Sequence, residues 1–346
     1  MEHTDCDIFY DAVSEPVKAL SGPLLLKEVN LYVEGQEGAK KALLGLFHDI
    51  ALRKTGCKIP KENILLIGPS GCGKTYLVNT FCRLQDVPFA VVDSPSVTGA
   101  GYRGEDIEQG LERLIASADG DIKKAENGIL FFDEFDKLLI HSNDSASPET
   151  VQAQLLKMAE GELIDLNDHG KPSQRREKPC INTENITFLF AGAFTSQEKE
   201  RSSHIGFTKE ETKDEGDDYD FLIESGFSPE MAGRIHRIIR MEPLTKENYV
   251  NILRDKKDSI IKQYEQAFSY DDVILSVDRE VYSLAAEEAV KRNLGVRGLT
   301  HVFQEIFDEI RYEVIMDSRI DMCHITRESF LKRKAVLHRR EEEMEM

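Results

Sequence analysis

Gly68, Gly71 and Gly73 are followed directly by Lys74 and Thr75 in the run GPSGCGKT, residues 68–75. Glycines let the backbone turn tightly enough for successive N–H groups to converge on phosphate oxygens. A lysine at the end of such a turn neutralises β- and γ-phosphates, and the adjoining threonine hydroxyl is a ligand for Mg²⁺. The predicted nucleotide cradle is therefore Gly68, Pro69, Ser70, Gly71, Cys72, Gly73, Lys74 and Thr75, with Tyr76 next on the helix that follows. Cys72 reads as a small side chain tolerated in the turn rather than as a redox switch.

A second chemical group stands in ILFFDEFDKL, residues 129–138. Four apolar residues end in two acids. Asp133 at the end of a buried strand is placed to hold Mg²⁺ together with Thr75, and Glu134 is placed to polarise an attacking water. Asp136 reads as structural. Cradle and carboxylates together predict hydrolysis of a nucleoside triphosphate, with ATP and Mg²⁺ as cofactors.

These groups need rigid supports, and the surrounding pattern supplies them. Residues 64–67 form a short apolar run before the glycine-rich turn, and a helix follows it: strand, loop, helix. Strands are also expected at 88–92, 129–132 and 186–190, and helices at 37–54, 105–118 and 149–160. Alternation of this kind predicts an α/β domain with a parallel sheet covered by helices on both sides. Residues 165–185 and 196–220 read as long polar loops. After Pro243 the pattern turns helical, at 245–268, 279–292 and 298–316. The expected organisation is an arm over 1–27, a large domain over 28–242, a smaller and mostly helical domain over 243–336, and a charged tail over 337–346.

Composition narrows the field. The 346 residues carry a net charge of −19, which disfavours a non-specific hold on nucleic acid or on anionic membrane. No apolar run approaches the roughly 20 residues that span a bilayer. The six cysteines are scattered with no CxxC pair, unlike a zinc module or a disulfide framework, and a cytoplasmic location is expected.

The chain resembles the AAA+ ATPases, and within them the ClpX unfoldase family, from about residue 28 to about residue 335. LYVEGQEGAKKAL (31–43) is similar to that family's adenine-contacting segment, and GAGYRGEDIEQGL (99–111) to its substrate-gripping pore loop. ETVQAQLLKMAEGEL (149–163) resembles the helix after the second pore loop. NITFLFAGAF (185–194) resembles the strand leading to the first sensor. GFSPEMAGRIHRI (226–238) resembles the arginine-finger segment, and GVRGLTHVFQEI (295–306) the second-sensor helix.

The resemblance implies roles residue by residue. Val33 would contact adenine. Arg234 would be a finger reaching a neighbouring subunit's γ-phosphate, and Arg297 the second-sensor arginine. Tyr102 would grip a passing polypeptide by contact area; Arg103 beside it, repeated around a narrow channel, is separately expected to favour acidic segments. Ile205, Gly206 and Phe207 would dock on a ClpP-type peptidase. A finger acting between subunits implies a homo-hexamer that pulls polypeptide substrates through its pore. The alternatives are a stand-alone remodeller of protein complexes and, less in keeping with the charge, a nucleic-acid motor. The chain departs from the family pattern at four places. No paired cysteines precede the ATPase segment, so the usual N-terminal zinc module is expected to be missing. Glu34 and Arg103 stand where apolar residues are usual. The stretch GKPSQRREK (170–178) puts basic residues at the substrate entrance.

Overall fold

A strand can be apolar on every residue only if both faces of its sheet are covered, and ILLI and ILFF are such strands. In the computed structural model they are β1 (Ile64–Ile67) and β3 (Ile129–Asp133). The structure describes residues 21–96, 107–140, 148–166, 180–195, 215–292 and 295–340. With β2 (Phe89–Asp93), β6 (Thr187–Gly192) and β7 (Arg237–Arg240) they form a five-stranded sheet in the order β2-β3-β6-β1-β7, parallel throughout.

Residue alternation divides the core. Leu65, Ile67, Leu130 and Phe132 face one apolar cluster, while Ile64, Leu66, Ile129 and Phe131 face another. The first cluster holds α4 (Ile107–Ser117), α5 (Ile122–Ala125), α6 (Phe135–Ile140), α7 (Pro148–Glu160) and α9 (Pro229–Ala232) on one side of the sheet. The second holds α1 (Gly22–Tyr32), α2 (Glu37–Lys54) and α3 (Lys74–Gln85). Phe132 stacks on Phe188 and Phe190 with ring centroids 6.2 and 5.3 Å apart, so neighbouring strands meet through aromatic faces.

A third apolar cluster lies wholly within the C-terminal residues. It joins α10 (Lys246–Asp255), α11 (Ile260–Ser269), α12 (Arg279–Arg292) and α13 (Val296–Met316) to a three-stranded sheet. That sheet is β8 (Ile274–Val277), β9 (Ile320–Ile325) and β10 (Val336–Arg339), with β9 central.

The structure differs from the sequence reading at several points. Residues 22–27 are not an arm: Pro23 starts α1, because proline is accommodated in the first helical turn where its missing N–H is not needed. The polar stretch 165–185 begins and ends in a hairpin, with Leu163–Asp165 (β4) paired antiparallel to Cys180–Asn182 (β5). Residues from 215 onward belong to a helix, α8 (Glu215–Glu224). The expected helix at 245–268 is two, broken at Lys256, which is extended, and restarted by the Ser259 side chain accepting from the Lys262 amide. The start of the expected tail pairs with β9 as β10. Tyr102, Arg103, Ile205, Gly206 and Phe207 lie outside the described residues.

Candidate nucleotide site

At the C-terminal end of β1 the chain enters the glycine turn. Gly71 and Gly73 take φ of 75° and 95°, which L side chains rarely adopt. Gly68 is required for space, since a Cβ there would lie 2.9 Å from the Met241 Cβ and 3.0 Å from the Cys72 Sγ. Lys74 is buried and its ammonium donates to the carbonyls of Gly68 at 2.6 Å and Pro69 at 3.1 Å, across the mouth of the turn. Gly73 is the N-cap of α3 and brings no side chain to bond the first amides of that helix.

The Thr75 hydroxyl donates to Asp133 Oδ2 at 2.7 Å, which brings together the two residues expected to hold metal. Asp133 Oδ1 accepts the Glu134 amide at 2.9 Å. Glu134 itself has φ of 53°, an uncommon conformation for a side chain of this kind. The turn is enforced from behind: Phe135 is fully buried, 4.7 Å from Phe190 and 5.4 Å from Phe227, ring to ring. The exposed Glu134 carboxylate pairs with Lys137, and this pairing pushes the Lys137 pKa above its ordinary value.

An uncapped helix start with a buried lysine behind it suits a polyphosphate. The hard oxygens of Thr75 and Asp133 suit Mg²⁺. Among the described residues no three His, Cys, Asp or Glu side chains gather as a metal site. Cys72 is buried against this turn, and burial pushes its thiol pKa up, away from the reactive thiolate.

Val33 caps α1 and is buried in the same cluster as Cys72, Leu77 and Met241, on the P-loop side of the sheet. Tyr76 turns its phenol toward the C-terminal unit, donating to Asp258 Oδ2 at 3.0 Å. Arg297 is exposed on the first turn of α13 and makes no ion pair among the described residues. Two positions earlier, Gly295 touches the cradle: a Cβ on it would fall 2.4 Å from the Gly71 Cα, and the Val296 amide donates to the Gly71 carbonyl at 3.1 Å.

Arg234 stands apart from this group. Its carbonyl accepts from Asn63 Nδ2 at 3.1 Å, and Asn63 directly precedes β1. Its guanidinium pairs with Glu160. It therefore sits at the N-terminal edge of the sheet, whereas the cradle sits at the C-terminal edge, and four-residue β1 alone spans about 13 Å.

Three supporting residues escaped the sequence reading. Asn63, Gly295 and Asp258 carry no local pattern that marks them. Asp136, read only as structural, accepts the amides of Ala193 at 3.1 Å and Phe194 at 3.2 Å, fixing the end of β6 beside the carboxylates. Glu34 also has a definite partner. Its carboxylate meets Lys256 at 2.6 Å and accepts from Asn251 at 2.8 Å.

Residues 59–238 match the AAA domain (Cdc48 subfamily). Two relatives, from Borrelia duttonii (strain Ly) and Borrelia recurrentis (strain A1), are each named "ATP-dependent Clp protease ATP-binding subunit ClpX". Each is 34% identical to this chain over 92% of its length and 81% of the relative's. That span takes in the glycine turn, the paired carboxylates and the C-terminal helices alike. The chain is an ATPase and a member of the ClpX family.

Proposed function

We propose that the chain hydrolyses ATP to unfold proteins and pull them through the pore of a homo-hexamer. The observation that carries this reading is the placement of Arg234. A finger held at the opposite edge of the sheet cannot reach its own cradle, but it suits the cradle of a neighbour, and a closed ring gives every site such a neighbour. The division of labour is then as follows. Amides from Gly71 to Thr75 bind the triphosphate, with Lys74 among its oxygens. Thr75 and Asp133 would hold Mg²⁺, which supplies positive charge to offset that of the phosphates. Glu134 orients the attacking water and accepts its proton. Arg234 of the neighbouring subunit offsets charge in the transition state, and Arg297 reports nucleotide from the C-terminal unit. Val33 lines the base. The two-domain division near residue 243 lets these groups move relative to one another.

Tyr102 and Arg103 would face the pore, and Ile205, Gly206 and Phe207 would dock on a ClpP-type peptidase. The relatives' own name, an ATP-binding subunit of a protease, supports that partner. Six docking loops on one ring would gain by avidity what each lacks alone. Among the described residues no helix is long and apolar enough to cross a membrane.

The test uses a folded fluorescent protein bearing an unstructured tag. ATP-dependent loss of its fluorescence is expected with the wild type and not with Tyr102→Ala, while ATPase activity persists in both. With a ClpP-type peptidase and ATP, the wild type is expected to co-sediment and Phe207→Ala is not. Unfolding without peptidase binding would make the protein a stand-alone remodeller. Failure to unfold any tagged substrate, with ATPase activity intact, would overturn the unfoldase reading.

A further inference from the structure

The C-terminal unit grips the phosphate-binding element at two separate points. At the first, Val296 donates to the carbonyl of Gly71 in the glycine turn. At the second, the Tyr76 phenol on α3 donates to Asp258 in the turn between α10 and α11. Lys74 and Thr75 lie between these two contacts in the chain. The Asp258 contact is reinforced around its edge. Arg83, two helical turns along α3, reaches Asp258 at 3.4 Å, and its guanidinium lies over the Tyr32 ring at 4.5 Å. Lys257 lies over the same ring at 5.3 Å and pairs with Glu28 at 3.6 Å. Lys256 meets Glu34 at 2.6 Å and the Asn30 carbonyl at 2.8 Å. Three consecutive residues, Lys256, Lys257 and Asp258, thus each bond to α1, to α3 or to the Glu34 segment that follows α1.

Two of these contacts, Arg83–Asp258 and Lys257–Glu28, are largely exposed ion pairs, which hold little alone. The Tyr76–Asp258 bond differs in where it acts. Tyr76 follows Thr75 directly, in the first turn of the helix whose amides face phosphate. A hydrogen bond to an ionised carboxylate is among the stronger ones. When it forms, the first turn of α3 and the Gly295–Val296 backing of Gly71 are fixed to one body. The cradle is then already in its binding geometry before nucleotide arrives. When it breaks, the C-terminal unit can move away and the glycine turn loses its support. Binding must then supply the ordering.

We propose that Asp258 and Tyr76 are positioning residues for nucleotide binding, acting as a latch that holds the C-terminal unit against the phosphate cradle. The inference concerns ATP binding and turnover alone and stands or falls independently of unfolding.

The experiment is a double-mutant cycle on the full chain, reading KM and kcat for ATP, the Kd of a fluorescent ADP, and thermal midpoint. Tyr76→Phe and Asp258→Ala are each expected to raise KM and Kd by about fivefold, with kcat changed by less than about twofold. The double variant is expected to be no worse than Asp258→Ala alone, because that change already removes the bond that Tyr76→Phe removes. Asp258→Asn keeps an acceptor for the phenol and is expected to restore most of the affinity. Unchanged KM and Kd in both single variants, even with a lower thermal midpoint, would reduce the contact to a structural one. Additive losses in the double variant would equally overturn the latch, since the two residues would then act separately.

Discussion

Glu134→Gln is expected to lower kcat for ATP by about 100- to 10,000-fold while leaving nucleotide affinity close to wild type. The substitution keeps the shape of the side chain and removes its charge, and with it the ability to take a proton. The backbone at this position is set by other residues: the Glu134 amide bonds to Asp133, and Phe135 is locked among Phe190 and Phe227. The turn should therefore survive the change. Lys74→Ala should behave in the opposite way and abolish binding. The Lys74 ammonium is buried in the mouth of the turn, where the effective dielectric is low and its attraction for phosphate is correspondingly large. Steady-state hydrolysis and equilibrium binding of a fluorescent nucleotide separate the two. Near-normal turnover in Glu134→Gln would remove it from the proposed chemistry.

Arg234→Ala is expected to cost about 10³- to 10⁵-fold in kcat, the range seen when an arginine finger is lost. Within its own subunit the guanidinium pairs with Glu160, and both side chains are nearly half exposed. An exposed pair of that kind is worth about 0–1 kcal/mol, so giving it up to reach a neighbouring phosphate costs little. The Arg234 backbone is held more firmly. Asn63 is buried, donates to the Arg234 carbonyl, and receives the His236 amide on its own carbonyl. If the finger acts between subunits, Arg234→Ala and Glu134→Gln chains mixed in one ring should partly recover hydrolysis. Each would carry its defect on a different side of the shared interface, which leaves some sites whole. Mixed rings with no recovered activity would place Arg234 elsewhere in the mechanism.

The large unit was legible because its signals are local. Continuous apolar runs of four marked β1 and β3, which lie in the middle of the sheet and are covered on both faces. Helix α2 falls on the residues its periodicity predicts, 37–54. The small sheet of the C-terminal unit was missed because its strands are weak in isolation. Val336–Arg339 reads VLHR and is mostly exposed, and only pairing with the interior strand β9 makes it a strand. The break between α10 and α11 was missed for a related reason: helix periodicity runs through it, and Lys256 leaves the helix to bond with Glu34 and Asn30.

The site divides along the same line. From its sequence alone, this protein is determined to bind and hydrolyse nucleotide, because glycine spacing, the lysine and threonine after it, and two acids ending an apolar strand are contiguous patterns. Their chemistry depends on neighbours in the chain. The tertiary structure decided which distant residues share the site. It set the Thr75 hydroxyl on the Asp133 carboxylate, 58 positions away, and laid Gly295 on Gly71. It sent Arg234 to the far edge of the sheet and aimed Tyr76 at Asp258. Apart from Thr75 with Asp133, which the two motifs already join, none of these pairings has a sequence signature. Each arises because parallel strands carry their C-terminal ends to one edge and their N-terminal ends to the other, and because the C-terminal unit has a core of its own and packs against the cradle.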